Sequence, residues 1–298
     1  MRFVIIIPYK NEYNNLKNIF RDIINQKKKF SEVIFVNDRS TDASYELVNS
    51  LIGKRIGFKN LNYKSSKSMF DVLNFGLKNI SNKKCFVLPG SANDGFFNNM
   101  LQIAHNDLKK NPNVGFWSSI GYYKIGNKYS KFKTPILSLK KNFNKGEAFL
   151  RKYFLMGNFI VGASCLYNLK YIMRENFFQS KLLGIADLDM YKKIGYKYGH
   201  IYHPKRLCYV TKHKGQFSYK TYNSKNFSNV VYLYKKNLIS FINLEMTNKL
   251  ISRIKFLKYV KFSEKKKFNF FVFIFLIKNF SFFTRSFYFR NIKNLFIS

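Results

Sequence analysis

Two polar clusters in this chain stand where two apolar runs stop. The run Phe3–Pro8 (FVIIIP) is followed by Tyr9, Asn11 and Glu12, and Glu32–Asp42 carries Asn37, Asp38, Ser40 and Asp42 after EVIFV. Aromatic, amide and carboxylate groups of this kind suit a base and a ribose better than a bare phosphate. No glycine-rich turn follows the first run, so the phosphate grip of a dinucleotide fold or a P-loop is missing. Acids also stand later in the chain. Asp94 follows the run Lys84–Pro89, and Asp187 and Asp189 open an apolar-periodic segment. As residues alone, Asp94 fits the N-cap of a helix from Phe96, and the later pair fits acids stabilised by a helix dipole.

The elements that must position these groups are legible. Short β-branched and aromatic runs bounded by turn residues fit buried strands of a parallel sheet. Glu12–Gln26, with Leu16, Ile19, Phe20, Ile23 and Ile24 at helical spacing, joins the two runs into a β-α-β unit. Its strands are then parallel neighbours with a right-handed crossover. Both polar ends open on the sheet edge where open α/β sheets bind ligands. A helix over Ala43–Leu51, a strand over Leu61–Lys64 and a helix carrying Met69, Val72, Leu73 and Leu77 follow. Lys84–Pro89 predicts a fourth strand, Val114–Trp117 and Phe159–Leu166 further ones, and Ile201–His203 and Leu207–Val210 two short ones. Lys124–Lys145 reads as a long basic loop.

The pair PYKNE and VNDRSTD resembles the opening of family 2 glycosyltransferases, which have a GT-A fold and use nucleotide-sugars. The resemblance covers residues 1 to about 218. It implies an α/β fold: a GT-A, Rossmann-like, mostly parallel mixed sheet flanked by helices; beyond it, from Tyr219, the composition and the patterns Val230–Phe241 and Leu250–Tyr259 read as a C-terminal helical, basic and aromatic extension. It further implies an inverting transfer from a nucleotide-sugar, uridine-linked by expectation, to a glycan or lipid-linked acceptor of surface polysaccharide synthesis. Pro8, Tyr9, Asn11, Glu12, Asp38, Lys67, Asn93, Asp94 and Lys212 are the expected nucleotide-sugar contacts, with Tyr9 near the base. Asn74 and Gly76 match part of the family's A-R-N-x-G-L segment, or simply pack the helix. Its Arg is Leu73 here, so Lys64 or Lys67 would substitute. Where the family carries D-x-D-D, this chain has Ser91-Ala92-Asn93-Asp94. A divalent cation, Mg or Mn, would then be weakly held and nucleotide-assisted, with Asp94 and His213 as its protein ligands. Gly184–Tyr191 resembles the family's E-D-x-x-L/M-W/Y segment with Ala186 in place of Glu. Asp187 is the expected general base and Asp189 the alternative. His213 and Ser218 match the spacing of R-x-H-x-x-x-x-S, although a histidine in a basic loop needs no such role.

The 298 residues carry 53 Lys and Arg against 15 Asp and Glu, a formal net charge of +38. Such a charge favours anionic surfaces. Cys85, Cys165 and Cys208 are far apart, each in an apolar run, and read as buried thiols of a reducing compartment. Phe3–Pro8 is too short for a signal peptide and leads straight into a strand, so the expected location is cytoplasmic. Phe268–Ile277 is solidly apolar but half the length of a membrane span. Flanked by Lys, it reads as an interfacial anchor on the inner face of the plasma membrane, or as a packed helix. The expected division is 1–218, with a donor half 1–100 and an acceptor half 101–218, followed by 219–298. Two other functions fit: a GT-A-like binding protein that has lost catalysis, and a nucleic-acid-binding protein. The latter rests on charge alone, and no nucleic acid is expected.

Overall fold

The computed structural model describes residues 1–65, 68–131, 137–156, 160–211, 221–248 and 250–251. Strands β1 (Phe3–Tyr9) and β2 (Glu32–Asn37) are joined by α1 (Tyr13–Ile24) and pair in parallel, with Val4 opposite Glu32 and Tyr9 opposite Asn37. Both strands are buried at every position. That explains their continuous apolar sequences, because each face of the sheet meets a helical layer. Alternation still assigns each side chain to one layer. Phe3, Ile5 and Ile7 meet Leu16, Ile19, Phe20 and Ile23 of α1, while Val4 and Ile6 meet α3 (Met69–Lys78).

Helix α3 approaches the sheet closely because position 76 is glycine. A Cβ there would lie 2.6 Å from Ile6 Cγ2 and 3.1 Å from Val36 Cγ2. Asn74 clasps the backbone of Phe178, donating Nδ2–H to its carbonyl (2.7 Å) and accepting its N–H on Oδ1 (3.1 Å). Asn74 and Gly76 are thus packing residues. Leu73, where the family motif has Arg, is buried in the same core.

Helix α2 (Ser44–Ile52) leads to β3 (Phe58–Asn62), parallel to β2, and β4 (Phe86–Pro89) is parallel to β1 on its other side. Past β4 the sheet turns mixed. It continues through β9 (Leu166–Asn168), β6 (Phe116–Ile125) and β10 (His200–Thr211) to β5 (Gly95–Phe96). β6 and β10 are parallel, β9 is antiparallel to both of its neighbours, and β5 is antiparallel to β10. Two short strands, β7 (Lys128–Lys131) and β8 (Asn142–Asn144), add antiparallel to β6 and β10. Helices α4 (Met100–Leu108), α5 (Gly146–Met156), α6 (Leu169–Arg174) and α7 (Ala186–Tyr198) cover this half. A last helix, α8 (Phe227–Ile239), places Phe227, Val230, Tyr234 and Leu238 in the core that α3 and α7 share.

Several boundaries depart from the sequence reading. No helix starts at Phe96: Gly95 and Phe96 pair with Tyr209 and Cys208, and α4 begins only at Met100, so Asp94 is not its cap. The two short strands expected after Ile201 are one strand, β10, carried through register shifts between His203 and Cys208. The stretch Lys124–Lys145, expected to be a loop, holds the end of β6 and both short strands. β7 is exposed at every position, so no apolar alternation marks it. Within Phe159–Leu166, Gly162–Ser164 forms a 3-10 turn and extended pairing starts only at Leu166. All three cysteines are free and buried, as expected. The anchor segment 268–277 lies outside the described residues. Among the described residues no helix is long and apolar enough to cross a membrane.

Candidate active site

The carboxyl ends of β1 and β2 are stitched together by short polar side chains. Asp38 N–H donates to the Tyr9 carbonyl (2.8 Å). Asn11 sits in the left-handed region at φ +54°, a conformation Asn tolerates better than most residues. Its Oδ1 accepts Thr41 N–H (2.8 Å), and its own N–H donates to Ser40 Oγ (3.1 Å). Asn37 accepts Ser40 N–H on Oδ1 (3.0 Å) and donates to Asn62 Oδ1 (2.9 Å). The Asp38 carboxylate stands at this edge with Arg39 Nε 3.2 Å away. Pro8, opposite Val36, lies one residue inside the edge.

Tyr9 does not lie along that edge. Strand alternation puts it on the same side as Phe3, Ile5 and Ile7, where it is 3 % exposed beside Phe35. Its hydroxyl donates to Asn60 Oδ1 (2.8 Å), and burial raises the phenol pKa above its ordinary value. The expected base contact at this position is therefore a core residue.

Glu12 connects three elements. Its N–H donates to Ser44 Oγ (2.9 Å), Asn93 Nδ2 donates to its Oε1 (2.8 Å) and Asn15 Nδ2 to its Oε2 (2.7 Å). Asn15 also donates to Asn93 Oδ1 (2.6 Å), closing a triangle between α1 and the turn after β4. Asn15 and Ser44 were not anticipated. The available signal was spacing, since Asn15 is one helical turn beyond Glu12 and faces the same way.

Asp94, next in that turn, accepts Thr211 N–H from the end of β10 (3.1 Å). Burial pushes its carboxyl up to about 7; the Thr211 hydrogen bond opposes this, and the nearby charge of Glu12 adds to it. As a cation site the donor set is thin. Asp94 has one oxygen engaged by Thr211, the Asn93 oxygen is engaged by Asn15, and the described residues contain no cluster of three His, Cys, Asp or Glu that could hold a metal. This set fits a divalent ion only where phosphate oxygens complete the coordination shell.

Asp187 and Asp189 share the first turn of α7 but not an environment. Asp187 Oδ1 accepts Leu188 N–H (2.7 Å), and Oδ2 lies 3.9 Å from where a Cβ would stand on exposed Gly162. Gly162 sets no side chain against this carboxylate. Burial raises its pKa to about 6, against the Leu188 hydrogen bond and the charge of Lys192. Asp189 is 2 % exposed, 3.7 Å from Lys193 Nζ, and accepts from Asn237 of α8 (3.4 Å). It ties two helices together.

Lys67, Lys212 and His213 lie outside the described residues. The described residues on either side of 212–220, Thr211 and Thr221, are anchored. Thr211 binds Asp94 at one end, and at the other Thr221 Oγ1 accepts Gly184 N–H (2.9 Å), three residues before Asp187.

The family model for glycosyl transferase family 2 matches residues 4–172, which contain the whole stitched edge and the turn of Asp94. This chain belongs to that family. A curated relative, an uncharacterized glycosyltransferase of Rickettsia bellii (strain RML369-C), is 26 % identical over 225 residues, 74 % of this chain and 31 % of the relative. The family 2 chain thus spans about a third of that protein. Its fold is similar to S. aureus TarS 1–349 in complex with UDP-GlcNAc, with a TM-score of 0.70 at 16 % identity over 88 % of this chain and 74 % of that one. It is also similar to mannosyltransferase PcManGT from Pyrobaculum calidifontis in complex with GDP-Man and Mn2+, with a TM-score of 0.60 at 15 % identity over 87 % and 70 %. At such identities the likeness is one of fold, and the fold is GT-A.

Proposed function

We propose that this chain transfers a sugar, with inversion, from a nucleotide-sugar, uridine-linked, to a hydroxyl of a glycan or lipid-linked acceptor. The observation that carries the reading is the presence of two polar centres. The edge of β1, β2 and β4 holds Glu12, Asp38, Asn93 and Asp94; Thr211 N–H donates to Asp94 there, and Thr221 Oγ1 accepts Gly184 N–H in the turn before Asp187. Asp38 and its neighbours would bind base and ribose. Asp187 would accept the proton of the acceptor hydroxyl as its oxygen bonds to the anomeric carbon, while the bond to the diphosphate breaks and its electron pair leaves with the phosphate. Asp94, with Lys212 and His213, would face the diphosphate, and a divalent ion held there would neutralise part of its charge. Residues 1–218 would form the transferase unit, and the basic, aromatic tail would rest on an anionic membrane surface.

The test is thermal shift with UDP, UDP-GlcNAc and GDP-mannose, with and without Mn. A ligand of the folded state raises its melting temperature by mass action. Stabilisation by one nucleotide series, followed by turnover, supports the reading. Binding without turnover against a range of acceptors would favour a GT-A-like binding protein, a reading that Ala186 and the internally satisfied Glu12–Asn15–Asn93 triangle also fit.

A further inference from the structure

Asp22 of α1 stands apart from the groups assigned above, yet it grips both strands beside Asp94. Its Oδ2 accepts the Tyr209 hydroxyl of β10 (2.6 Å) and the Phe96 N–H of β5 (3.3 Å). Gly95, paired with Tyr209 across the two strands, makes room for this meeting. A Cβ there would collide with the Asp22 carboxylate and the Tyr209 hydroxyl. β5 is only two residues long, and its ladder to β10 consists of Gly95–Tyr209 and Phe96–Cys208. A strand this short is weakly held by its own ladder, and Asp22 adds a tie from the helix. An apolar side chain at position 22 would leave the N–H of buried Phe96 without this acceptor, which is costly.

Past the end of that ladder, Thr211 N–H donates to a side chain, the Asp94 carboxylate (3.1 Å). Phe96 is two residues beyond Asp94, and Tyr209 is two residues before Thr211. Asp22 thus clamps each strand one step along from the Asp94–Thr211 bond. We propose that Asp22 is a positioning residue for the donor site: by holding β5 and β10 together it fixes the direction in which Asp94 presents its carboxylate to the diphosphate and a divalent ion bound there. The inference rests on the reading of Asp94 as the group that faces the diphosphate. Partners that orient a metal ligand from behind affect metal affinity without touching the metal.

The experiment is calorimetric titration of the full chain with UDP, in Mn and in EDTA, and the quantity read is the gain in UDP affinity that Mn brings. Asp22→Ala is expected to cut that gain by about 10–100-fold, the usual effect of losing an orienting partner, while affinity in EDTA holds. Asp22→Asn keeps an oxygen for both donors and is expected to restore the gain. On an Asp94→Ala background Asp22→Ala should have no further effect, because a residue that acts through another shows non-additivity with it. Should Asp22→Ala lose the native near-ultraviolet dichroism, Tyr209→Phe carries the test: it removes one donor, keeps the ring and should lower the gain in the same direction. An unmoved gain in the folded variant, an equal loss in Mn and EDTA, an equal loss in Asp22→Asn, or losses that add in the double variant would overturn the proposal. A wild-type gain in Asp94→Ala, or a wild-type chain whose UDP affinity ignores Mn, would instead remove Asp94 from the diphosphate and the proposal with it.

Discussion

The edge of β1 and β2 and the first turn of α7 treat their carboxylates in opposite ways. At the strand edge, the Glu12 carboxylate accepts from the uncharged amides of Asn15 and Asn93, while its own N–H donates to Ser44 Oγ. In α7, Asp189 is buried 3.7 Å from Lys193 Nζ, and burial raises the carboxyl of Asp187 against the charge of Lys192. Hydrogen-bonded amides fix geometry without depending on pH. Buried charges beside cations depend strongly on protonation, because desolvation and Coulombic attraction act on the ionised form alone. On the proposed reading the Glu12 end of the edge would hold a ligand, and α7 would carry a group that exchanges a proton.

Each prediction tests that contrast, starting with the largest effect. Asp187→Asn should lower turnover by about 10²–10⁴-fold while donor affinity holds, because an amide is nearly isosteric but accepts no proton. Turnover within about tenfold of wild type, measured with the true acceptor, would end the role of α7 as the proton-exchanging centre. Asp38→Ala should weaken UDP binding by roughly 10–100-fold, the range of a lost charge-assisted hydrogen bond, with the melting temperature little changed. Calorimetry giving wild-type affinity would take Asp38 out of the edge.

Stability provides two smaller effects. Gly76→Ala should cost about 1–3 kcal/mol in urea unfolding, the usual range for overpacking, because the new methyl would meet Ile6 at 2.6 Å. Wild-type stability there would mean that α3 can move off the sheet. Asp94→Asn should raise the melting temperature by a few degrees at pH 8 and leave it unchanged near pH 4. The sign follows from the raised pKa: the folded state holds this proton more tightly than the unfolded chain. Stability from the protonated form is complete below the unfolded value near 4 and is lost as pH rises through about 7. The amide keeps an oxygen for Thr211 N–H but never ionises. An equal shift at both pH values would show that Asp94 is not desolvated in the folded protein.

Legibility differed between the same two regions. Local pattern marked the parallel half well: β1, α1 and β2 run where apolar runs and helical spacing put them, and the polar groups at the strand ends meet as a β-α-β unit requires. The second half was harder because its strands are irregular or bare. β10 carries bulges that interrupt its alternation, and β7 is exposed throughout. Partners from distant positions were also invisible. Asn93 reaches Glu12 across 81 residues, and the buried Lys192 of α7 sets its ammonium against the rings of Tyr153 and Tyr234 from two other helices.

The sequence by itself determined the fold class, the family and the order of the polar strand ends, because these depend on residue type, short spacing and the handedness of a β-α-β crossover. Only the tertiary structure decided what each polar group faces. Tyr9 turned into the core because strand alternation aligned it with Ile5 and Ile7. Asp189 became a tie to α8 because Asn237 packs over it. Asp187 remained beside Gly162, which has no side chain to set against it. A side chain's role depends on its desolvation and its partners, and both are set by residues far away in the chain.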